Sequence, residues 1–300
     1  MESMPAEPAF VPADYHMHLF LDNEPWRNEE LAERLRVLGR MARERAVGEI
    51  GISEHIYRFR QFREVMRDLY EGEGTHPYIR DWLSNDFRAD LDLYVETILS
   101  ARLDVPLRLG LEVDYLPGRM ELIRQILSPY PWDYLLGSVH FLGRWGFDIA
   151  PEIGWPDDPE LIDEGWLQYW QTWRQAAECG LFSSMAHPDL FKKFGHRPSP
   201  AAAPQVAEAA RTALVAAARA GVAIEINSAG LRKPVGEIYP SLSLLQEARA
   251  VHLPITLGSD AHRAEDVGRG LAEAIAFARR AGYAEMLLFC RQRREAIALP

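Results

Sequence analysis

His16 and His18, in the run DYHMH, are spaced i and i+2. On an extended segment that spacing puts both imidazoles on one face, where a single cation could be held by the pair. Alone, the pair is more readily read as two ordinary polar strand residues. The other histidines change that reading. Six of the nine, His16, His18, His55, His140, His187 and His262, stand at the ends of apolar runs with strand character, together with Glu112, Asp114 and Asp260. His76, His196 and His252 are scattered elsewhere. Imidazole nitrogen combined with carboxylate oxygen suits Zn²⁺, Mn²⁺ and Fe²⁺, whereas an all-oxygen set would suit Mg²⁺ or Ca²⁺. Six histidines with two or three carboxylates exceed one tetrahedral site. The pattern therefore predicts two or three divalent transition metals (Zn, Mn or Fe), with a carboxylate bridging the closest pair.

These residues can meet only if the elements carrying them converge. Seven times a short apolar run stops at a polar or metal-competent residue: FVPADYHMH (10–18), VGEIGISEH (47–55), LRLGLEVDY (107–115), YLLGSVHF (134–141), LFSSMAH (181–187), GVAIEINSAG (221–230) and LPITLGSDAH (253–262). Pro12 makes the first the weakest strand. Between the runs lie helix-like stretches at 28–46, 86–103, 159–178 and 263–282, and the alanine-rich 201–220 reads as an amphipathic helix. Alternating strand and helix predicts an α/β fold with a parallel sheet wrapped by helices. An open sheet tends to place ligands only near its switch point, whereas here all seven strand ends carry polar residues. That distribution favours one domain over 1–300, a distorted seven-stranded (β/α)7 barrel with the ligands at one mouth. Residues 56–85 and 142–158 are expected as insertions that shape the pocket.

Composition limits the partners. Thirty-three basic against 44 acidic residues give a net charge of −11, with no basic stripe for nucleic acid or an anionic membrane. A phosphorylated substrate would need a local cation. Cys179 and Cys290 form no CxxC pair, which suggests neither a disulfide framework nor a thiolate zinc site and fits the cytoplasm. The first ten residues lack the basic and apolar regions of a leader, and no run approaches the roughly 18 apolar residues of a membrane span. The oligomeric state is left open.

From DYHMH through GISEH, GLEVDYLPG, LLGSVHFLG, MAHPDLFKKFG and EINSAGLRKPVGEIYPS to ITLGSDAH, the chain resembles the polymerase and histidinol phosphatase (PHP) family. The combination of GSVHF, HPDLxKxF and EINxxGLRKPxxEIYPS resembles its monofunctional L-histidinol-phosphate phosphatase branch. The resemblance implies that His16, His18, Glu112 and Asp260 hold one metal, Glu112, His140 and His187 a second with Glu112 as the bridge, and His55 and His262 a third. The family often supplies a further histidine six residues after the second histidine of HxH. This chain has Glu24 there, with Asp22 close by, so a carboxylate is expected to complete the third site. The pattern gives Asp114 no ligand role, and a hydrogen bond behind a ligand is expected of it.

The resemblance alone implies the substrate, L-histidinol phosphate, hydrolysed to L-histidinol and phosphate in histidine biosynthesis. A hydroxide bridging the metals around Glu112 would attack phosphorus in line, while a cationic side chain grips the phosphoryl oxygens. Arg232 is the expected cation, with Lys233 a weaker candidate and Asn227 a possible hydrogen-bond partner of substrate or ligand. The leaving alkoxide would take its proton from metal-bound water, Asp260 or His262. Glu71, Glu73, Tyr78, Trp82, Trp145, Asp148 and Trp155 could receive the substrate's amine and imidazole. Rival readings are a PHP phosphoesterase acting on nucleotides or nucleic-acid ends, a hydrolase of carbon–nitrogen bonds, and a non-catalytic metal-binding scaffold. The second commonly uses a strand-end lysine, and none of the seven runs ends in one.

Overall fold

A computed structural model describes residues 9–300. Residues 1–8, most of the stretch compared with a leader, lie outside the described residues. In chain order come helix α1 (Leu31–Glu44), strand β1 (Ile50–Ile52), helices α2 (Arg67–Glu71), α3 (Pro77–Asn85) and α4 (Leu91–Ser100), and strands β2 (Leu107–Leu109) and β3 (Glu112–Asp114). Helix α5 (Met120–Leu127), strand β4 (Leu136–Ser138), the short pair β5 (Phe141–Leu142) and β6 (Trp145–Gly146), helix α6 (Pro159–Glu178) and strand β7 (Ser184–Met185) follow. The remainder comprises α7 (Ala203–Ala220), β8 (Ala223–Asn227), α8 (Leu242–Ala250), β9 (Ile255–Gly258), α9 (Leu271–Arg280) and the strands β10 (Glu285–Cys290) and β11 (Arg293–Ala298).

The central sheet is parallel, in the order β3-β4-β7-β8-β9. Glu112 pairs with Leu136, Leu136 with Ser184, Ser184 with Ala223 and Ile224 with Ile255. β1 and β2 form a separate parallel pair. Single parallel pairings connect the rest: His55 with Glu112, Asp14 with Ile50 and Met17 with Ala261. The first run thus lies between β1 and β9, donating Tyr15 N–H to Leu257 O at 3.0 Å and accepting Gly51 N–H at Asp14 O at 2.8 Å. It forms no regular ladder, as expected where Pro12 has no N–H to give. One continuous seven-stranded ladder is therefore not what the regular pairing forms; it splits into a five-stranded sheet and a pair.

The strands are buried on both faces, as parallel strands between helices must be. Tyr134 fills the space beside β1, which position 51 leaves open by being glycine: a Cβ there would lie 2.2 Å from the Tyr134 hydroxyl. Helix α6 begins at Pro159, with the Asp158 side chain accepting Glu160 N–H at 2.9 Å. It buries Trp166, Tyr169, Trp170 and Trp173, the i, i+3, i+4, i+7 stripe of a core-facing helix. Each such burial contributes roughly 1.5–3 kcal/mol. Among the described residues, no helix is long and apolar enough to cross a membrane.

Two further features depart from expectation. Helix α9 starts at Leu271 rather than near 263, because Gly268 and Gly270 take φ of 68° and 77° and break the chain direction. The antiparallel pair β10–β11 was not anticipated. It packs where the parallel strands begin. Phe289 N–H donates to the Tyr15 hydroxyl at 3.0 Å, and Arg291 N–H and Gln292 N–H donate to Oδ1 and O of Asp133, just ahead of β4.

Candidate metal centre

Parallel strands deliver their C-terminal ends to one side, and the histidines follow those ends. His55 lies past β1, His140 past β4, His187 past β7, Asp260 and His262 past β9, and Glu112 opens β3. His16, His18, His55, His140 and His187 converge on the Glu112 carboxylate, which is 1% exposed, while His262 meets Asp260 beside it. Its Oε2 stands 2.8 Å from His55 Nδ1, 3.2 Å from His16 Nε2 and 3.6 Å from His18 Nε2. Its Oε1 stands 2.9 Å from His187 Nε2 and 3.3 Å from His140 Nε2. Asp260 Oδ1 is 3.5 Å from His18 Nε2, 3.8 Å from His16 Nε2 and 3.4 Å from His262 Nδ1. The His18 ring stacks between His55 and His262, with centroids 4.2 and 4.1 Å away. The other three histidines stay apart: His76 caps α3, His196 stacks on Trp155 and His252 lies beside Arg249.

A second set of carboxylates stands behind these imidazoles. Glu225 Oε1 is 2.9 Å from His16 Nδ1, Asp114 Oδ1 is 2.8 Å from His140 Nδ1, and Glu54 Oε2 is 3.7 Å from His18 Nδ1. Glu54 also accepts the N–H groups of Leu19 and Phe20. Asp14 accepts Ser259 N–H at 2.8 Å and Gly268 N–H at 2.9 Å, which anchors the turn where Asp260 adopts φ 53°. The sequence reading overlooked Glu225, Glu54 and Asp14. The available signal was an acid embedded in a strand-like run, most plainly Glu225 between Ile224 and Ile226.

Glu24 does not join the cluster. Its carboxylate is taken by Arg27 and Arg34, with Arg27 Nη2 at 2.7 Å and Arg34 Nη1 at 3.1 Å, and it accepts Leu21 N–H at 3.3 Å. Asp22 points there instead, with Oδ1 3.1 Å from His262 Nε2, 3.4 Å from His55 Nε2 and 2.9 Å from the Tyr57 hydroxyl that donates to it. Counting six residues along the chain points to Glu24, but the bend of this loop brings Asp22, not Glu24, beside His55 and His262.

A cavity of about 420 Å³ opens above the histidines. Arg232 and Lys233 line it, and so do Tyr78, Trp82 and Asp148 from the two insertions. Arg232 is held by its Nη2 donating to Ser259 O at 2.7 Å, and its Nη1 has no partner among the described residues. Lys193, which the sequence reading passed over, lies 3.3 Å from Asp148 Oδ2 in the same cavity. Asn227 is fully buried and does not line it. Its Nδ2 donates to Glu225 Oε2 at 2.9 Å, so it serves a partner of His16, not the open space expected of a substrate contact. Trp145 and Trp155 pack against Phe191, and Glu71 and Glu73 lie outside the lining.

Electrostatics single out the same centre. Burial opposes ionisation of Glu112, but His16, His55 and His140 outweigh it and hold the carboxyl well below its usual range. Burial likewise opposes a charge on His55, yet Glu112 and Asp22 push it up to about 10. His16 is raised well above the usual imidazole range against burial, chiefly by Glu225 and Glu112. His18 goes down, through burial and then the neighbouring His262 and His55. The centre thus calls for positive charge, which protons or divalent ions can supply.

The donor set fits ions. Among the described residues, His16 Nε2, both nitrogens of His18, His55 Nδ1 and Glu112 Oε2 are buried without a hydrogen-bond partner, although three of these nitrogens stand within 3.6 Å of Glu112 Oε2. Facing lone pairs are poor hydrogen-bond partners for one another and good ligands. Four sets of three donors, His16/Glu112/His187, His16/His18/Asp260, His55/Glu112/His140 and His18/His55/His262, each lie within 4.8 Å.

The PHP domain family model matches residues 32–229, and the PHP-associated model matches 245–284. A Deinococcus radiodurans protein named Probable histidinol-phosphatase is 41% identical over 182 residues, 60% of this chain and 66% of that one. The chain therefore aligns with just under two thirds of that relative's length. Bacillus subtilis histidinol-phosphatase is 28% identical over 199 residues, 60% of this chain and 74% of that one. Among solved structures, histidinol phosphate phosphatase of Lactococcus lactis, complexed with zinc, L-histidinol and phosphate, is similar with a TM-score of 0.70. At 20% identity, covering 96% of this chain and 100% of the other, that likeness establishes the shared fold.

Proposed function

The chain belongs to the PHP domain family, and from that premise we propose that it is a metal-dependent phosphomonoesterase hydrolysing L-histidinol phosphate to L-histidinol and phosphate. The observation carrying this reading is the buried Glu112 carboxylate, approached by five imidazoles, two on one oxygen and three on the other. A carboxylate so surrounded suits a bridge between cations.

In this reading the single pairings at Asp14, Met17 and His55 close the sheet into a distorted ring of seven runs in one domain. His16, His18, Glu112 and Asp260 hold one ion and Glu112, His140 and His187 the next. His55, His262 and Asp22, not Glu24, hold the third. Bound there, zinc, manganese or iron would supply hydroxide at neutral pH and neutralise the phosphoryl oxygens. Arg232, with Nη1 unpartnered among the described residues and Nη2 fixed on Ser259 O, grips the phosphoryl group, and Lys233 adds positive charge at the rim. As the P–O ester bond breaks, the departing oxygen takes a proton; Asp260 and His262 both border the cavity where it leaves. Tyr78, Trp82 and Asp148 offer aromatic faces and a carboxylate to the imidazole and amine. Cys179 and Cys290 are both free thiols, in keeping with a cytoplasmic enzyme.

The test is phosphate release by the purified protein from L-histidinol phosphate, AMP and single-stranded DNA, before and after chelation and with zinc, manganese or iron restored. Metal-dependent turnover with preference for histidinol phosphate is expected. Preference for AMP or DNA would overturn the substrate assignment, and no turnover with any metal would overturn the enzyme assignment.

A further inference from the structure

Glu225 lies at the centre of β8, between Ile224 and Ile226, and is fully buried. A carboxylate in that position is costly unless its oxygens are engaged. Both are. Oε1 stands 2.9 Å from Nδ1 of His16, while Oε2 accepts the His187 backbone N–H at 2.8 Å and Nδ2 of Asn227 at 2.9 Å. Close approach depends on glycine at position 258: a Cβ there would lie 1.9 Å from Glu225 Oε1 and 2.6 Å from Cβ of His16.

A carboxylate can only accept. Nδ1 of His16 must therefore carry the hydrogen that meets Glu225, so in the neutral, ion-binding ring the lone pair lies at Nε2, on the side of Glu112, 3.2 Å away. The other oxygen holds the amide of His187, a residue at φ 26° whose Nε2 reaches Glu112 Oε1 at 2.9 Å. A left-handed turn at a histidine is unfavourable without support, and this hydrogen bond supplies part of it.

We propose that Glu225 is a positioning residue that selects the ligating tautomer of His16 and fixes the backbone of His187, so that one buried carboxylate aims two imidazoles at opposite oxygens of Glu112. The inference rests on the reading of His16 and His187 as metal ligands.

Glu225→Gln tests it with nearly unchanged shape. If the amide oxygen stays on His187 N–H and Asn227, the amide NH₂ meets Nδ1 of His16, and the ring hydrogen moves to Nε2, the nitrogen needed for the ion. If the amide turns over, His187 and Asn227 lose their acceptor. Zinc affinity of the full chain, measured by competition with a chelator, is expected to fall about 10–100-fold. At saturating zinc, kcat should drop with KM little changed. Long-range ¹H–¹⁵N spectra of the zinc-loaded wild type should show His16 hydrogen-bearing at Nδ1, and the variant should lose that pattern. Gly258→Ala, which displaces the same carboxylate from the other side, should weaken zinc binding in the same direction. Wild-type zinc affinity in a folded Glu225→Gln protein, even one of lowered thermal stability, would overturn the proposal, and so would a zinc-loaded wild type with His16 bearing its hydrogen at Nε2. A wild type that takes up no zinc would instead remove the metal reading itself.

Discussion

Oδ1 of Asp22 stands 3.1 Å from Nε2 of His262, although Glu24 occupies the place in the chain where the related pattern puts a ligand. The loop that makes this possible is tied by Arg58, which donates to the carbonyls of Leu21 and Glu24, and by Arg34, which donates to Leu19 O at 2.8 Å. With Glu24 neutralised by Arg27 and Arg34, it is held as a structural ion pair away from the mouth.

Asp22→Ala should therefore lose about one metal equivalent per chain, while Glu24→Gln keeps its metal and loses some thermal stability. Elemental analysis after gel filtration checks this. Equal metal content in wild type and Asp22→Ala would return the third site to other residues.

Glu112→Gln replaces the shared carboxylate by an amide that can offer only one acceptor. Phosphate release from histidinol phosphate should fall at least ~100-fold, with the far-ultraviolet circular dichroism unchanged. Turnover near the wild-type rate would exclude Glu112 as the bridge.

The seven runs were readable because burial on both faces leaves a continuous apolar signature, and the six histidines stood out because each ends such a run. Glu225 and Asp14 were not, since an acid inside a strand carries no mark of which neighbour it will meet 209 or 245 residues away. Asp22 lost to Glu24 for a related reason: loop bends depend on tertiary hydrogen bonds such as those of Arg58, which spacing does not encode. The β10–β11 pair was missed because its exposed strand is charged and alternates poorly: Arg293, Arg294 and Glu295 are consecutive and exposed.

Arg232→Ala should raise KM and lower kcat/KM by roughly 10–100-fold, the worth of a charged hydrogen-bonded contact of about 1.5–3 kcal/mol. Arg232→Lys should recover only part, because an ammonium cannot hold both Ser259 O and a phosphoryl oxygen in one plane. Steady-state kinetics on both variants decide; unchanged kcat/KM in Arg232→Ala would assign the phosphoryl contact elsewhere.

Asp86 predicts a pH dependence of stability. Burial, opposed by Arg58, pushes its carboxyl up to about 6 from 3.8. The folded chain then binds this proton more tightly than the unfolded chain, so the contribution is fully present below the unfolded value and is lost as pH rises through about 6. Relative to Asp86→Asn, the wild type should lose about 2 kcal/mol between pH ~4.5 and ~7.5. Urea midpoints of both proteins across that range test the sign, and a constant difference would contradict it.

Chelation should destabilise as well as inactivate, since an ion that binds only the folded chain adds about 2.7 kcal/mol per site at a hundred times its Kd. Differential scanning calorimetry should record a lower melting temperature after exhaustive chelation and its recovery on adding zinc. A melting temperature indifferent to both steps would argue against clustered ions.

Phe289 N–H on the hydroxyl of Tyr15 has an outcome for biogenesis. Tyr15 directly precedes His16, yet the strand bracing it is synthesised after every candidate ligand, His262 included. A nascent chain on the ribosome would already have made all its imidazoles while still lacking the brace beneath the first of them. Tight capture of ions should therefore be a late, post-elongation event, and a stop codon just ahead of residue 285 should yield a polypeptide with its donors intact and its grip on metal impaired.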